Sequence, residues 1–162
     1  MQNDKREIFE IGSSAPDFVL PSSDGSMVGL NDFVGKSLII YFYPKDDTPG
    51  CTQQAKDFKN KISEFKKLDI TIIGISKDTT KSHNNFKTRY QLPFILLSDT
   101  KTTTIQAYGA WVEKYMFGKK YLGIDRSTFF IDSDHKIKKI WRGVRVKGHI
   151  DAVLDFIKSK SL

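Results

Sequence analysis

The residue best suited to chemistry is Cys51, the only cysteine of the 162-residue chain. It follows Thr48, Pro49 and Gly50, shortly after an apolar run that ends at Pro44. Threonine is a preferred residue just before a helix, and proline suits the first helical position because it lacks an N–H that would be unpaired there. The spacing therefore predicts that Thr48 is the N-cap of a helix and that Cys51 is its third residue.

That position would activate a thiol. A free thiol has a pKa of about 8.5 and is mostly protonated at neutral pH, whereas a thiol at a helix N-terminus beside a cation can be largely ionised. We expect the Thr48 hydroxyl to accept a hydrogen bond from the Cys51 N–H, and the helix dipole to favour the thiolate. Taken alone, a single intracellular cysteine is more often a small buried apolar side chain. Its place between a strand and a helix favours the nucleophile, because ligands bind at that edge of open α/β sheets.

The elements that must position this thiol follow from the hydrophobic pattern. Apolar runs predict buried strands, and apolar residues that recur every three or four positions predict helices between them. The predicted strands are Ser37–Tyr43, Ile70–Ser76, Phe94–Ser98, Thr128–Asp132 and Lys136–Arg142. The predicted helices are one with the stripe Ala55, Phe58, Ile62 and Phe65, one at Thr79–Tyr90, and one from about His149 to Lys158. This order, βαβαβ and then a hairpin and a helix, is typical of an α/β domain.

Two segments lack a regular pattern, the first dozen residues and Tyr108–Ile124, and we expect both to be surface features. The length and the 39% hydrophobic content fit a single domain spanning residues 1–162. No stretch reaches the roughly 18 apolar residues of a membrane helix, and Met1–Glu7 lacks the apolar core of a secretory signal. One cysteine cannot form an internal disulfide or a cysteine-based zinc site. We therefore expect a soluble, cytoplasmic protein without a membrane partner.

The net charge of +7 raises the alternative of a nucleic-acid binding protein. The lysines are spread along the chain and alternate with acidic residues such as Asp57, Glu64 and Asp69, as on solvated helix faces. We expect no specific nucleic-acid partner, and only weak, salt-sensitive retention on DNA.

Four further residues have competing interpretations. Arg126 supplies a permanent positive charge, and its simplest role without other information is an ion pair with neighbouring Asp125. The three histidines, His83, His135 and His149, invite a comparison with cysteine–histidine hydrolases, but they lie in no such signature and have no metal-ligand spacing. We expect no bound metal, and we expect His149 to help start the last helix.

The residues around Cys51 resemble a known family. Pro44, Thr48 and Cys51 match the P-x-x-x-T-x-x-C signature of peroxiredoxins, and the run Tyr41–Thr52 resembles the peroxiredoxin Q group, also called bacterioferritin comigratory proteins. The similarity covers nearly the whole chain. It includes Gly12, Ala15–Phe18, Phe117–Tyr121, Arg126–Phe129 and Val146–His149.

This resemblance implies a thioredoxin-like α/β fold with a central mixed β-sheet flanked by α-helices. It implies that Cys51 attacks hydrogen peroxide or an organic hydroperoxide and becomes a sulfenic acid, without a cofactor. Thr48 and Arg126 would complete the site, and Pro44 would shield it. Donors aimed at the reacting oxygens stabilise the transition state more than the ground state, which agrees with these roles.

The chain departs from the family at one position. Many members of the group carry a resolving cysteine five residues after the peroxidatic one, where this chain has Lys56. The resemblance then implies a 1-Cys enzyme whose sulfenic acid is reduced by an external thiol: a thioredoxin, a glutaredoxin or glutathione. Longer exposure of the sulfenic acid to peroxide would favour overoxidation. The protein is expected to be a monomer or a weak homodimer. The alternative is a non-catalytic redox sensor or binding protein with an oxidisable Cys51.

Overall fold

The computed structural model describes residues 11–160. Nine strands and five α-helices follow each other along this part of the chain, with a 3-10 helix at Leu30–Phe33. The strands are β1 (Val19–Pro21), β2 (Met27–Gly29), β3 (Ser37–Phe42), β4 (Ile70–Ser76), β5 (Ile95–Ser98), β6 (Trp111–Met116), β7 (Lys119–Ile124), β8 (Ser127–Ile131) and β9 (Ile137–Trp141). The helices are α1 (Pro49–Asn60), α2 (Ile62–Lys67), α3 (Thr80–Tyr90), α4 (Thr103–Ala107) and α5 (His149–Lys160).

Five strands form the central mixed sheet, in the order β5-β4-β3-β8-β9. Strand β3 pairs in parallel with β4, and β4 pairs in parallel with β5. Strand β8 runs antiparallel to β3, with Ser127 opposite Phe42. The start of β8 therefore lies beside the end of β3, which brings Arg126 to the sheet edge that carries Cys51. The expected thioredoxin-like arrangement is confirmed.

The central strand is covered on both faces, as its apolar sequence predicts. Ile39 and Tyr41 face a core cluster that includes residues of α1, α2, α3 and α5. Leu38, Ile40 and Phe42 face a second cluster with α4 and the N-terminal strands. Because successive side chains alternate between these two cores, the end of β3 is held from both sides. The site that follows β3 thus starts from a rigid element.

Most of the predicted elements are confirmed within one or two residues. The hairpin between the last two sheet strands turns at Asp132, whose Oδ1 accepts hydrogen bonds from the backbone N–H groups of Asp134 (3.0 Å) and Lys136 (2.9 Å). The last helix begins at His149, as predicted. None of the helices within residues 11–160 is long and apolar enough to cross a membrane.

The sequence interpretation was wrong in two places. The segment Tyr108–Ile124 is not irregular: most of it forms the antiparallel hairpin β6–β7, with Trp111 opposite Ile124. These two strands pair with each other and not with the central sheet, so they lack the buried face that gives a strand its alternating pattern. The predicted single helix after Cys51 is divided at Lys61 into α1 and α2, although both halves pack on the same core.

The prediction for the N-terminal segment can be compared only in part. Residues 1–10, which include the part examined for a secretory signal, lie outside the described residues, as do residues 161–162. The backbone N–H of Gly12 donates to the carbonyl of Ile137 (2.7 Å), so the first described residues pair with the sheet edge at β9.

Candidate active site

The start of α1 places Cys51 as the spacing predicts. Thr48 is the N-cap with extended backbone angles (φ −89°, ψ 156°), Pro49 is the first helical residue, and Cys51 is the third. The predicted side-chain cap is wrong, however. The Thr48 hydroxyl donates to the carbonyl of Lys45 (2.9 Å) and does not accept from the Cys51 N–H. The tight turn before the helix, in which Asp47 has a positive φ of 60°, brings that carbonyl within reach.

The Cys51 sulfur is almost fully buried, with 2% of the residue exposed. The Arg126 guanidinium reaches it from the start of β8, and Nη2 donates to Sγ at 3.4 Å. Two of the predicted site residues, 75 positions apart in the chain, are therefore in direct contact. Reactive cysteines typically lie in electropositive surroundings, and a guanidinium is a permanent cation.

Gln54 is a site residue that the sequence interpretation missed. It lies one turn after Cys51 on the same face of α1 and is fully buried. Its Oε1 accepts from Arg126 Nη1 at 2.7 Å, so one guanidinium spans Gln54 and Cys51. One signal in the sequence could have indicated it. Gln54 is a polar residue three positions after the cysteine, on the side of the helix where Ala55 and Phe58 face the core.

The electrostatics of the site shift the pKa values of two buried side chains, Tyr41 and His149. Burial raises the pKa of Tyr41 well above its ordinary value, and negative charge on Cys51 raises it further, whereas Arg126 opposes the shift. Burial and then the charge of Arg126 lower the pKa of His149 from 6.5 to about 4. His149 Nε2 forms a hydrogen bond with Thr128 Oγ1 (2.8 Å). At neutral pH this histidine is therefore uncharged, and Arg126 is the cation that contacts the sulfur.

Some donor capacity near the site is unused. Within residues 11–160, the Tyr41 hydroxyl and the Gln54 amide nitrogen are buried without a hydrogen-bond partner. Such groups are costly to leave unpaired, and they are rare in folded proteins. Tyr41 belongs to the same core cluster as Cys51, and Gln54 contacts Arg126, the residue that donates to the Cys51 sulfur.

The remaining residues named in the sequence prediction lie before and within α1. Pro44 is half-buried, two residues after the end of β3. Lys56, at the position where many relatives carry the resolving cysteine, is exposed, and its ammonium lies 5.1 Å from the centre of the Tyr90 ring. Cys51 is a free cysteine.

A cluster of possible metal ligands lies beside this loop. Ligand atoms of Asp46, Asp78 and His83 lie within 4.8 Å of one another. These atoms already have protein partners: the Asp46 carboxylate contacts His83 at 2.7 Å, and Asp78 Oδ2 accepts from the hydroxyl of Ser76 at 2.6 Å. Hydrogen bonds within the protein account for the arrangement, and we assign no metal to it.

Comparison with known proteins identifies the family. Residues 11–140 match the AhpC/TSA family. The chain is 49% identical over 145 residues to the putative peroxiredoxin bcp of Coxiella burnetii, covering 90% of this chain and 96% of that protein. It is 45% identical over 152 residues to the peroxiredoxin Bcp of Bacillus subtilis, covering 94% of this chain and 97% of that protein.

Solved structures agree with the sequence relatives. The Xanthomonas campestris bacterioferritin comigratory protein, for which alkyl peroxide reduction activity is described, superimposes with a TM-score of 0.88 at 39% identity, over 96% of this chain and 99% of that one. A variant of the Xylella fastidiosa PrxQ gives a TM-score of 0.90 at 33% identity, over 95% of this chain and 98% of that one. The chain belongs to the AhpC/TSA family and is a peroxiredoxin of the Bcp and peroxiredoxin Q group, a thiol-dependent peroxidase.

Proposed function

We propose that Cys51 is the peroxidatic residue of this peroxidase, and that it acts as a thiolate held by Arg126. The observation that carries the proposal is the 3.4 Å contact between Arg126 Nη2 and the Cys51 sulfur, at the N-terminus of α1. The helix dipole and the guanidinium both stabilise negative charge at that point. A thiolate is the nucleophilic form of cysteine.

The reaction begins when the thiolate attacks one oxygen of the peroxide. A sulfur–oxygen bond forms, the oxygen–oxygen bond breaks, and the departing oxygen leaves with the bonding electron pair and takes a proton from solvent. The products are a Cys51 sulfenic acid and water, or an alcohol from an organic hydroperoxide. Arg126 stabilises the charge that develops on the oxygens. The Thr48 hydroxyl donates to the Lys45 carbonyl in the free protein and donates to a peroxide oxygen when the substrate binds. Pro44 shields the pocket from solvent.

The sulfenic acid must then be reduced from outside, because the chain contains no second cysteine. One external thiol displaces water and forms a mixed disulfide with Cys51, and a second thiol releases the reduced enzyme as the donor becomes a disulfide. A thioredoxin, a glutaredoxin or glutathione fits this role. The exposed Lys56 leaves no resolving group at the position that many relatives use. We further propose that the protein works as a monomer or weak homodimer in the cytoplasm, where such donors are kept reduced.

Peroxide consumption with excess thiol tests the proposal. Purified protein should consume hydrogen peroxide or an alkyl hydroperoxide over many turnovers, and Cys51→Ser should abolish this activity while leaving the fold intact. Running the assay in parallel with a thioredoxin, a glutaredoxin and glutathione identifies the donor. Oxidation that stops after one equivalent with every donor would instead favour the redox sensor.

A further inference from the structure

The loop between β3 and α1, here called the peroxidatic loop, leads to Thr48 and Cys51 and contains a buried carboxylate. Asp46 lies five residues before Cys51, and only 7% of it is exposed. Its Oδ1 accepts from the Tyr43 hydroxyl at 2.6 Å, and its Oδ2 accepts from the Ser82 hydroxyl at 2.8 Å. A buried carboxylate is costly unless it is fully paired and hydrogen-bonded. These contacts imply that the position of the Asp46 side chain is tightly fixed.

His83 completes the pairing of this carboxylate from α3. The imidazole is fully buried, with Nδ1 at 2.7 Å from Asp46 Oδ2 and Nε2 at 2.9 Å from the carbonyl oxygen of Leu97. A carbonyl oxygen can only accept a hydrogen bond, so Nε2 carries a hydrogen. Nδ1 and Asp46 Oδ2 then hold one proton between them. The imidazole thus bridges β5 and the loop before Cys51.

The backbone of Asp46 is held in place as well as its side chain. The Asp46 N–H donates at 2.9 Å to Oδ2 of Asp78, which lies two residues after the end of β4. The next residue, Asp47, accepts from Arg89 at 2.7 Å and from the Tyr90 hydroxyl at 2.6 Å, both at the end of α3. The Thr48 hydroxyl in turn donates to the carbonyl of Lys45, the residue before Asp46. The conformation of the peroxidatic loop is therefore set by contacts to α3 and to the segment after β4, and not by α1 alone.

We propose that His83, acting through Asp46, is a positioning residue for peroxide reduction. It holds the loop so that the Thr48 hydroxyl and the Cys51 sulfur keep the relative placement that in-line attack requires. His83 touches neither the sulfur nor the peroxide. The proposal rests on the function proposed above, since it takes Cys51 as the attacking group. Small displacements of reacting groups reduce rates strongly, so the loss of this contact should appear in the peroxide step.

Two substitutions of His83 separate positioning from general stability. In His83→Asn the side-chain amide nitrogen lies near the place of Nδ1 and can still donate to Asp46. In His83→Gln it lies near the place of Nε2 and retains only the contact to Leu97. Each variant keeps one of the two hydrogen bonds, so their thermal unfolding temperatures should fall by similar amounts. The second-order rate constant with peroxide should fall about 10- to 100-fold in His83→Gln and stay near wild type in His83→Asn.

Alkylation of Cys51 by iodoacetamide is the second readout. It needs an accessible, ionised sulfur but no peroxide geometry, so its rate should not follow the difference between the two His83 variants. Equal peroxide rates in the two variants, or rates that track their unfolding temperatures, would overturn the proposal. If neither variant folds, Asp46→Asn and Asp46→Ala replace them: the amide should keep the peroxide rate and alanine should lose it, and equal rates in this pair would also overturn the proposal. Absence of peroxide turnover in the wild type would instead refute the proposed function.

Discussion

Two buried histidines lie on opposite sides of the peroxidatic loop, and they have different partners. His83 in α3 faces the carboxylate of Asp46, with a proton held between the two. His149 at the start of α5 faces a hydroxyl, that of Thr128, and burial and Arg126 lower its pKa to about 4. The side chain is the same, but its partner is a carboxylate in one place and a hydroxyl in the other.

The difference shows how charged groups are distributed around the site. On the α3 side, a proton-sharing pair fixes the loop away from the sulfur. On the α5 side, His149 is a neutral imidazole close enough to feel the charge of Arg126, and it adds no second positive charge. Arg126 itself is held by Gln54 at 2.7 Å, so it can direct its other nitrogen to the sulfur. Under the two proposals above, the α3 side positions the loop and the α5 side stabilises negative charge.

The largest effect should come from removing the cation on the α5 side. Arg126→Met removes the donor to Cys51 and the charge that stabilises the departing oxygen. We expect the second-order rate constant with peroxide, measured by stopped-flow, to fall about 100- to 1000-fold. Arg145→Met is the matched control, because Arg145 is an exposed arginine of the loop before α5. A similar loss in both variants would show that the effect reflects net charge and not the contact.

A smaller effect should follow from displacing the guanidinium without removing it. A Cβ atom at Gly50 would lie 3.3 Å from Arg126 Nη2, which is close enough to shift the guanidinium by a few tenths of an ångström. We expect Gly50→Ala to slow the peroxide reaction about 3- to 10-fold. Alanine is the better helix former, by up to about 1 kcal/mol in a helix interior. Stability should therefore be unchanged or slightly raised, and a rate loss accompanied by a clear loss of stability would contradict this explanation.

A third effect should appear in stability and not in rate, and it concerns the pH dependence of unfolding on the α5 side. Because the folded-state pKa of His149 is lowered from 6.5 to about 4, the unfolded chain binds a proton below pH 6.5 that the folded chain does not. The stabilisation is fully present above pH 6.5 and is lost as the pH falls towards 4, with a slope of up to about 1.4 kcal/mol per pH unit. His149→Gln should remove this component. Denaturant unfolding at several pH values between 6.5 and 4.5 measures the slope, and identical slopes in both proteins would contradict the assignment.

Much of this arrangement can be predicted from sequence where the pattern is local. The run Ser37–Phe42 is apolar after its first residue because both faces of β3 are covered, and Thr48-Pro49 marks the helix start because each residue suits its position. The prediction that Arg126 belongs to the Cys51 site depended on the family resemblance, because sequence spacing does not show which distant residues are close in the fold. The structure supplies the reason in the antiparallel pairing of β8 with β3.

Three features could not be predicted, each for a physical reason. The direction of the Thr48 hydroxyl depends on the turn at Asp47, which a capping rule does not include. Gln54 can be buried because it pairs with Arg126. Arg126 is far from Gln54 in the sequence, so no local pattern reveals this pairing. The hairpin β6–β7 stands apart from the central sheet and exposes apolar residues such as Phe117, so burial leaves no periodic pattern in it.

The most direct test of the central claim is a single-turnover oxidation without any thiol donor. Reduced protein is mixed with one equivalent of hydrogen peroxide in the presence of a sulfenic-acid trapping reagent and analysed by mass spectrometry of its peptides. We predict rapid consumption of the peroxide and one trapped adduct, on Cys51, that is absent in Cys51→Ser and much slower to form in Arg126→Met. Unreacted peroxide together with an unmodified Cys51 would contradict the account.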